Sequence, residues 1–354
     1  MIKRRYRLAA FFDSTAEPLN LAIFRIVVFA CLLRAITRTD AAHLVQLPAG
    51  LRVPPPGYAP FFDWIPFQLG YVTGARILGL TAAGAALVGF TTRMSAAVAC
   101  VCATYLLGLP GFFGKVNHTD HHLIWFAALL AAAPSGDALS IDALRAAWRR
   151  ADRGDTAPPS PSLAYALPLR LVWLLIGVIY FFPGFWKLRA GTEWFASDNI
   201  KLLMYQHWLR KGFIPLFRLD RYPLLYRSAG LGTVVFESSF VVCLFCPGLR
   251  TLALLAGVVF HWMTKVYLHI FFAALLACYA AFVDWNWAFA SLGAMLFSQD
   301  LVLTYDPRDH RQRRLTASLR AFDVLRRVRY VASSEAQLGV ASPAAESVRV
   351  AVGT

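Results

Sequence analysis

The chain has 354 residues, of which 58% are hydrophobic, and its formal net charge is +15. Soluble domains are about 45–50% apolar, so this composition leaves too little polar surface for a soluble body and predicts a polytopic membrane protein. The charge could suggest nucleic acid, but the basic residues lie between apolar runs and in the tail. That distribution favours an anionic membrane leaflet and excludes nucleic acid as a partner.

The first residues resemble a signal peptide, because four basic side chains precede an apolar run. Arg25 and Arg34 interrupt that run, and no clean small-x-small cleavage site follows it, so we predict an uncleaved first span. The six cysteines all lie in or beside apolar runs. We expect them to pack as small hydrophobic residues, including the redox-spaced pair Cys243 and Cys246.

Eight apolar segments predict membrane-spanning helices, so the expected fold is an all-α polytopic integral membrane protein. The segments cover about 19–36, 68–89, 94–110, 117–133, 165–186, 224–246, 250–269 and 271–296. The intervals between them include a proline-rich loop (37–67), an arginine-rich polar interval (134–163) and an amphipathic stretch (190–222). The predicted domains are a transmembrane domain (1–297), a small degenerate β-α-β unit (298–331) and a disordered tail (332–354).

Positive charge predicts the orientation, because cytoplasmic loops are enriched in lysine and arginine. The N-terminus, the arginine cluster after the fourth span and the tail after the eighth fall on one side. We predict that this side is the cytoplasm, which makes the protein a multi-pass inner-membrane protein with both termini cytoplasmic. Residues 187–222 disagree with this orientation, because they carry seven lysines and arginines on the external side.

The most unusual charge is Lys187, which follows Pro183-Gly184 at the end of the fifth span. The proline and glycine break the apolar run, and we expect them to kink the helix beside the lysine. Desolvation at the rim of a membrane helix is costly for an ammonium and favours the neutral amine, which is a base. Two interpretations stay open: Lys187 reaches the headgroups as an anchor, or it takes a proton from a ligand.

Other polar residues fall in the same external half of the membrane if the span count holds. Asn117 and His118 open the fourth span, and His261 lies within the seventh, about 16 Å along its helix. An amine, an amide and two imidazoles suit proton abstraction from a lipid-soluble substrate. His261 could equally be a hydrogen-bonded core residue. His118 and His122 have metal-ligand spacing, but spacing defines no third ligand, so no metal is expected.

Two charges inside predicted spans also need partners. Arg25 lies in the first two turns of the first span and must find a carboxylate or a carbonyl oxygen. Glu237, inside the sixth span, is the expected counter-charge for Arg25, Arg76 or Lys187. We favour a structural ion pair of Arg25 and Glu237.

Seven short motifs resemble, in their order along about residues 15–290, the membrane domain called HTTM, which vitamin K-dependent gamma-glutamyl carboxylase also contains. The motifs are Leu21–Arg25, Phe90–Ser95, Asn117-His118, Ser140–Ala143, Ile179–Leu188, Phe236–Ser239 and Val259–His261. In the carboxylase, a lysine after the Tyr-Phe-x-x-Gly pattern deprotonates vitamin K hydroquinone.

By this resemblance, Lys187 and His118 are the implied catalytic residues, and Asn117, His261 and Tyr180 are implied to bind a substrate or cofactor. The implied cofactor is a quinol or hydroquinone, and the implied chemistry is deprotonation, oxygen addition and epoxide formation. The sequence shows no counterpart of the carboxylase's lumenal propeptide-binding domain, so carboxylation itself is not implied.

Three functions therefore stay open. The first is an enzyme that acts on a lipid-soluble small molecule in the bilayer. The second is a non-catalytic accessory protein for maturation or export of a small peptide, as another branch of the family implies. The third is a transporter in which Arg25, Glu237 and His261 line a polar path.

The tail carries a second resemblance. Leu301–Asp306 predicts a strand, 308–329 a helix and Val328–Val331 a second strand. This pattern resembles the opening of the DCC family of predicted thiol-disulfide oxidoreductases. Asp309 and Gln312 stand where that family has its two cysteines, so we expect the tail to be redox-inactive.

Overall fold

The computed structural model describes residues 11–53, 64–114, 119–333 and 348–351, most of them helical. The chain divides into two compact units. The first unit comprises Met1–Ser14 and Leu169–Tyr279, and the second comprises Thr15–Pro168 and Ala280–Thr354.

The described helices are numbered here in chain order. They are α1 Pro18–Arg38, α2 Ala41–Gln46, α3 Leu69–Val88, α4 Thr92–Gly108, α5 His122–Ala132, α6 Ile141–Asp152, α7 Leu163–Arg189, α8 Glu193–Ala196, α9 Asn199–Lys211, α10 Pro223–Cys243, α11 Pro247–Leu268, α12 Ala273–Ala277, α13 Trp285–Leu296 and α14 His310–Phe322. The strands are β1 Leu301–Tyr305, β2 Val328–Ala332 and β3 Val348–Ala351.

Five helices are long and apolar enough to cross a membrane in the part of the chain that the structure describes. They are α1 extended to Gln46, α3, α4 extended to Phe112, α7 and α11. A bent pair, Ala273–Phe282 with Trp285–Leu296, would make a sixth. The predicted fourth span contains only the 11-residue α5, and the predicted sixth span, α10, is not in this set. Several apolar helices agree with a membrane protein, whereas the count of eight stays a prediction.

Helix α1 is the centre of the second unit. Its fully buried side chains Leu21, Phe24, Val28 and Leu32 recur at spacings of three and four residues, which places them on one helix face. This face packs against neighbouring helices, with the ring of Phe24 at 5.5 Å from that of Phe126 on α5. Burial of these apolar side chains is the main stabilising contribution of α1.

The first unit is built on the long helices α7, α10 and α11. Aromatic side chains fill the space between them. The ring centroid of Tyr180 on α7 lies 5.0 Å from that of Phe236 and 4.8 Å from that of Phe240, both on α10. Gly177 allows α7 to approach α10, since a Cβ at this position would lie 3.0 Å from side-chain atoms of Val241.

Helix α7 continues through Pro183 and Gly184 to Arg189, so these two residues do not end the helix. A proline removes one backbone donor from the helix, and this loss does not end α7, which packs closely against α10 at the next residue, Gly184. Lys187 therefore lies inside the last turns of α7 and not in a loop after it.

The C-terminal part of the second unit forms a small three-stranded parallel sheet with the order β2-β1-β3. Strand β1 pairs with β2 in the register Leu301↔Val328 and with β3 in the register Leu301↔Val348. The predicted strand-helix-strand pattern is present, with a shorter helix. Strand β3 lies where we predicted a disordered tail, because the free edge of β1 offers backbone partners that sequence composition does not reveal.

Candidate functional site

Helices α7 and α10 pack closely against each other at Gly184. A Cβ at this position would lie 2.7 Å from the backbone nitrogen of Ser238 and 2.8 Å from Cβ of Glu237, which is closer than any side chain tolerates. The glycine therefore lets the two backbones pack together. This contact brings the end of α7, three residues later, against the middle of α10.

Lys187 and Glu237 form a buried ion pair across this contact. The Lys187 Nζ donates a hydrogen bond to Oε2 of Glu237. Their side chains are only 16% and 6% exposed. The ring of Trp194, on the short helix α8, lies 5.0 Å from the ammonium nitrogen and supplies a cation–π contact.

A second polar cluster lies two turns earlier on the same helix. The Tyr180 hydroxyl forms hydrogen bonds of 2.6 Å with Nε2 of His261 and 2.8 Å with the hydroxyl of Tyr279. His261 is 1% exposed, and its Nδ1 has no hydrogen-bond partner among the described residues. Gly257, one turn before His261, leaves the space that Tyr279 occupies, since a Cβ there would lie 2.1 Å from its hydroxyl oxygen.

An apolar cavity of about 430 Å³ lies between α9, α10 and α11. Phe236 and Phe260 line it and also pack against the ring of Tyr180, at 5.0 and 6.4 Å. Polar side-chain atoms of the lining come from Thr233, Thr264 and Tyr267. Lys187 and His261 do not line the cavity. The two phenylalanines lie between the cavity and Tyr180.

The first unit thus contains four of the predicted site residues, Lys187, Tyr180, His261 and Glu237, in two neighbouring clusters. Asn117 and His118 lie outside the described residues. Over the residues that the structure describes, no group of three or more His, Cys, Asp and Glu residues could hold a metal ion.

The predicted pair of Arg25 and Glu237 is replaced by separate partners for each residue. Glu237 is paired with Lys187. Arg25, fully buried in the second unit, donates from Nη1 to the carbonyl oxygen of Ser135 at 2.6 Å and from Nη2 to that of Leu139 at 2.6 Å. Carbonyl oxygens were the other partner class expected for Arg25, and they bind both terminal nitrogens of its guanidinium.

Three of the motifs seen in the sequence meet at this arginine. Gly89 ends α3 with a positive φ of 68°, and a Cβ there would lie 3.1 Å from Nη1 of Arg25. Asp142, in the Ser140–Ala143 motif, accepts from the backbone and hydroxyl of Thr92, both at 2.7 Å. The motif residues around Arg25 therefore hold helix ends together and have a structural role.

Sequence reasoning missed Tyr279 and Trp194, which complete the two clusters of the first unit. Neither residue belongs to one of the seven motifs, and its spacing from other polar residues does not indicate a site. Their positions depend on which helices become neighbours, and no local pattern determines that.

The fold and the two clusters define an α-helical membrane protein with paired polar groups buried in its helix bundle. The HTTM domain model matches residues 14–287. That match covers more than half of the chain, and the chain therefore belongs to the HTTM domain family. The predicted resemblance to this family is confirmed. Neither a curated protein nor a solved structure matches the chain significantly.

Proposed function

We propose that the chain is a membrane-embedded enzyme that removes a proton from a lipid-soluble hydroquinone, with Lys187 as the base. The observation that supports this most is the buried pair of Lys187 and Glu237. It holds an amine and a carboxyl group together at a place where both are costly to ionise.

Proton transfer between Lys187 and Glu237 leaves the net charge of the pair unchanged. At low dielectric, one proton can pass from the ammonium to the carboxylate along their hydrogen bond, which replaces two charges by two neutral groups. The neutral amine then accepts a hydroxyl proton from the hydroquinone. The products are a Lys187 ammonium, a neutral Glu237 and a phenolate, so the net charge of the site stays the same.

The Tyr180 cluster is the proposed binding site for a second oxygen of the substrate. Nδ1 of His261 is buried without a described partner, so a substrate hydroxyl or carbonyl gains a hydrogen bond there without displacing one. Tyr180 fixes the imidazole through Nε2 and thereby directs Nδ1.

The apolar cavity suits the rest of such a substrate. Its volume of about 430 Å³ lies in the range of small-molecule sites, and its lining is mostly hydrocarbon and aromatic. An aromatic ring with a hydrocarbon tail fits these properties. In this proposal, the ring has to pass Phe236 and Phe260, which lie between the cavity and Tyr180.

The test uses the full chain in lipid nanodiscs with a short-chain naphthohydroquinone in air. Oxygen-dependent loss of the hydroquinone is followed by absorbance, and epoxide formation by mass spectrometry, against empty nanodiscs. In Lys187→Arg, a cation stays beside Glu237, but the guanidinium stays protonated and cannot act as a base. We expect Lys187→Arg and Lys187→Ala to lower the protein-dependent rate about 10²–10⁴-fold, which is the usual contribution of a general base.

The matched control is Lys265→Ala, which removes another lysine that contacts only aromatic rings in the described contacts, at 4.9 and 4.8 Å. It should keep the wild-type rate. A wild-type protein no faster than empty nanodiscs would refute hydroquinone chemistry, and full activity of Lys187→Arg would refute the role of the base.

One observation favours a second candidate, a non-catalytic accessory role in maturation or export of a small peptide. Lys187 and Tyr180 already have protein partners and do not line the cavity. In that case, Lys187→Arg should restore peptide production as fully as the wild type in cells that lack the chain. An enzyme that needs the base would not be restored by that variant.

A further inference from the structure

Two arginines of the first unit lie against one indole ring. The guanidinium carbon of Arg170 is 4.0 Å from the ring centroid of Trp173, and that of Arg250 is 4.4 Å from a ring of the same side chain. Phe11 adds an aromatic wall, 5.9 Å from Trp173 and 4.9 Å from Phe245. The cluster therefore combines two cations with apolar ring surfaces.

Neither arginine has a carboxylate within 4.0 Å among the described residues, although both are partly buried. Arg170 Nη2 donates to the hydroxyl of Ser14 at 2.7 Å, and its Nε is buried without a hydrogen-bond partner in the described structure. Arg250 Nη1 has only a long contact of 3.5 Å with the carbonyl oxygen of Leu244. The guanidiniums of Arg170 and Arg250, two neighbouring positive charges, therefore keep N–H donors without an acceptor among the described residues.

Two other arginines of this unit do have carboxylate partners. Arg218 is paired with Asp220 at 2.7 Å, and Arg227 is paired with Asp198 at 3.4 Å. Two guanidiniums held close together repel each other unless an anion lies nearby. The unmatched charge at Trp173 therefore indicates an anion that is not part of the protein.

The cluster lies in the first turn of α11 and two turns into α7. Arg250 is the fourth residue of α11, and Arg170 is the eighth residue of α7. Ten and eleven residues further along, Tyr180 and His261 contact each other, so α7 and α11 run in parallel. The positive N-terminal dipole of α11 adds to the two guanidiniums. With 27 residues, α7 is about 40 Å long, which exceeds the hydrocarbon core of about 30 Å, so at least one of its ends extends into the headgroup layer.

We propose that Arg170 and Arg250 bind the phosphate of an anionic ligand at the membrane surface, with Trp173 and Phe11 as its apolar walls. The planar guanidinium binds phosphate oxygens through two parallel hydrogen bonds, and arginine is preferred over lysine for this geometry. A phospholipid headgroup is the source that fits a cation pair beside aromatic rings at this depth. Free phosphate offers the same chemistry, and the experiment separates the two.

The test uses the full chain, purified and delipidated in a neutral detergent. Dihexanoylphosphatidylglycerol and inorganic phosphate are titrated separately at fixed ionic strength, and bound ligand is counted by native mass spectrometry. We expect Arg170→Gln and Arg250→Gln to weaken binding about 10- to 100-fold, the effect of one lost charge-assisted hydrogen bond. Arg227→Gln is the matched control, because that arginine already has a carboxylate partner, and it should bind as the wild type does.

Binding of phosphatidylglycerol alone, lost in both glutamine variants, would support a lipid headgroup. Equal binding of inorganic phosphate would support the same site with a soluble source. Unchanged binding in the glutamine variants, or no binding to the wild type, would overturn the proposal. If a glutamine variant does not fold, Arg170→Lys and Arg250→Lys keep the charge but lose the planar fork, and wild-type affinity in both would also overturn it.

Discussion

Replacement of Lys187 by methionine tests whether the ion pair with Glu237 holds α7 against α10. Methionine fills a similar volume without charge and leaves the Glu237 carboxylate, only 6% exposed, without its partner. Removal of one member of a buried pair costs about 3–5 kcal/mol. The Lys187 side chain is 16% exposed, so water can partly replace it. We therefore expect the free energy of unfolding to fall by about 3 kcal/mol, the lower end of this range.

The assay is equilibrium unfolding of the full chain in mixed micelles, followed by circular dichroism, for a double-mutant cycle. The double variant Lys187→Met/Glu237→Leu removes both charges, and we expect it to recover most of the stability that the single variant loses. Lys265→Met is the control and should cost about 0.5–1 kcal/mol, the value of a cation–π contact. Additive single effects, with no coupling between the two positions, would refute the reasoning.

Three further predictions concern other parts of the molecule. Arg25→Lys should lower the free energy of unfolding by about 2–4 kcal/mol, since an ammonium cannot serve the separated carbonyl oxygens that now bind both ends of the guanidinium; thermal unfolding would measure this, and a wild-type midpoint would contradict it. Gly184→Ala should cost about 1–3 kcal/mol because its Cβ has no room, whereas Gly84→Ala, with nothing within 4 Å, should cost nothing in the same melts. The hydrogen bonds of Arg314 lower the pKa of Asp152 to about 2, below its unfolded value of about 3.9, so this contribution is complete above about pH 4 and is lost as the pH falls towards 2; amide exchange in α14 should accelerate over that range in the wild type but not in Asp152→Asn.

The sequence motifs identified the residues of the candidate site but not their partners. Lys187 stood out because a charge in an apolar run needs a reason, and composition alone reveals such a charge. Its pairing with Glu237 was one of several choices that the sequence left open. Only the contact at Gly184 decided among them, since it sets which turn of α10 faces the end of α7.

Pro183 shows why local rules fail inside a bundle. Proline weakens a helix by the loss of one donor and by a steric conflict with the preceding turn. The helix nevertheless continues to Arg189, and Gly184 packs closely against Ser238 and Glu237 of α10. The motifs around Arg25 show a related limit. Their residues are far apart in sequence, so only the fold shows that they serve one structural purpose.

The membrane class, the helical content and the approximate positions of the apolar helices follow from composition and hydropathy, because the hydrocarbon solvent selects them residue by residue. The family follows from motifs that the chain carries in order. The partners of Lys187, Arg25 and His261, the cavity beside Phe236 and the arginine cluster at Trp173 followed only from the tertiary structure. Each depends on the close approach of helices that are distant in sequence, and side-chain packing between helices, not local propensity, determines that approach.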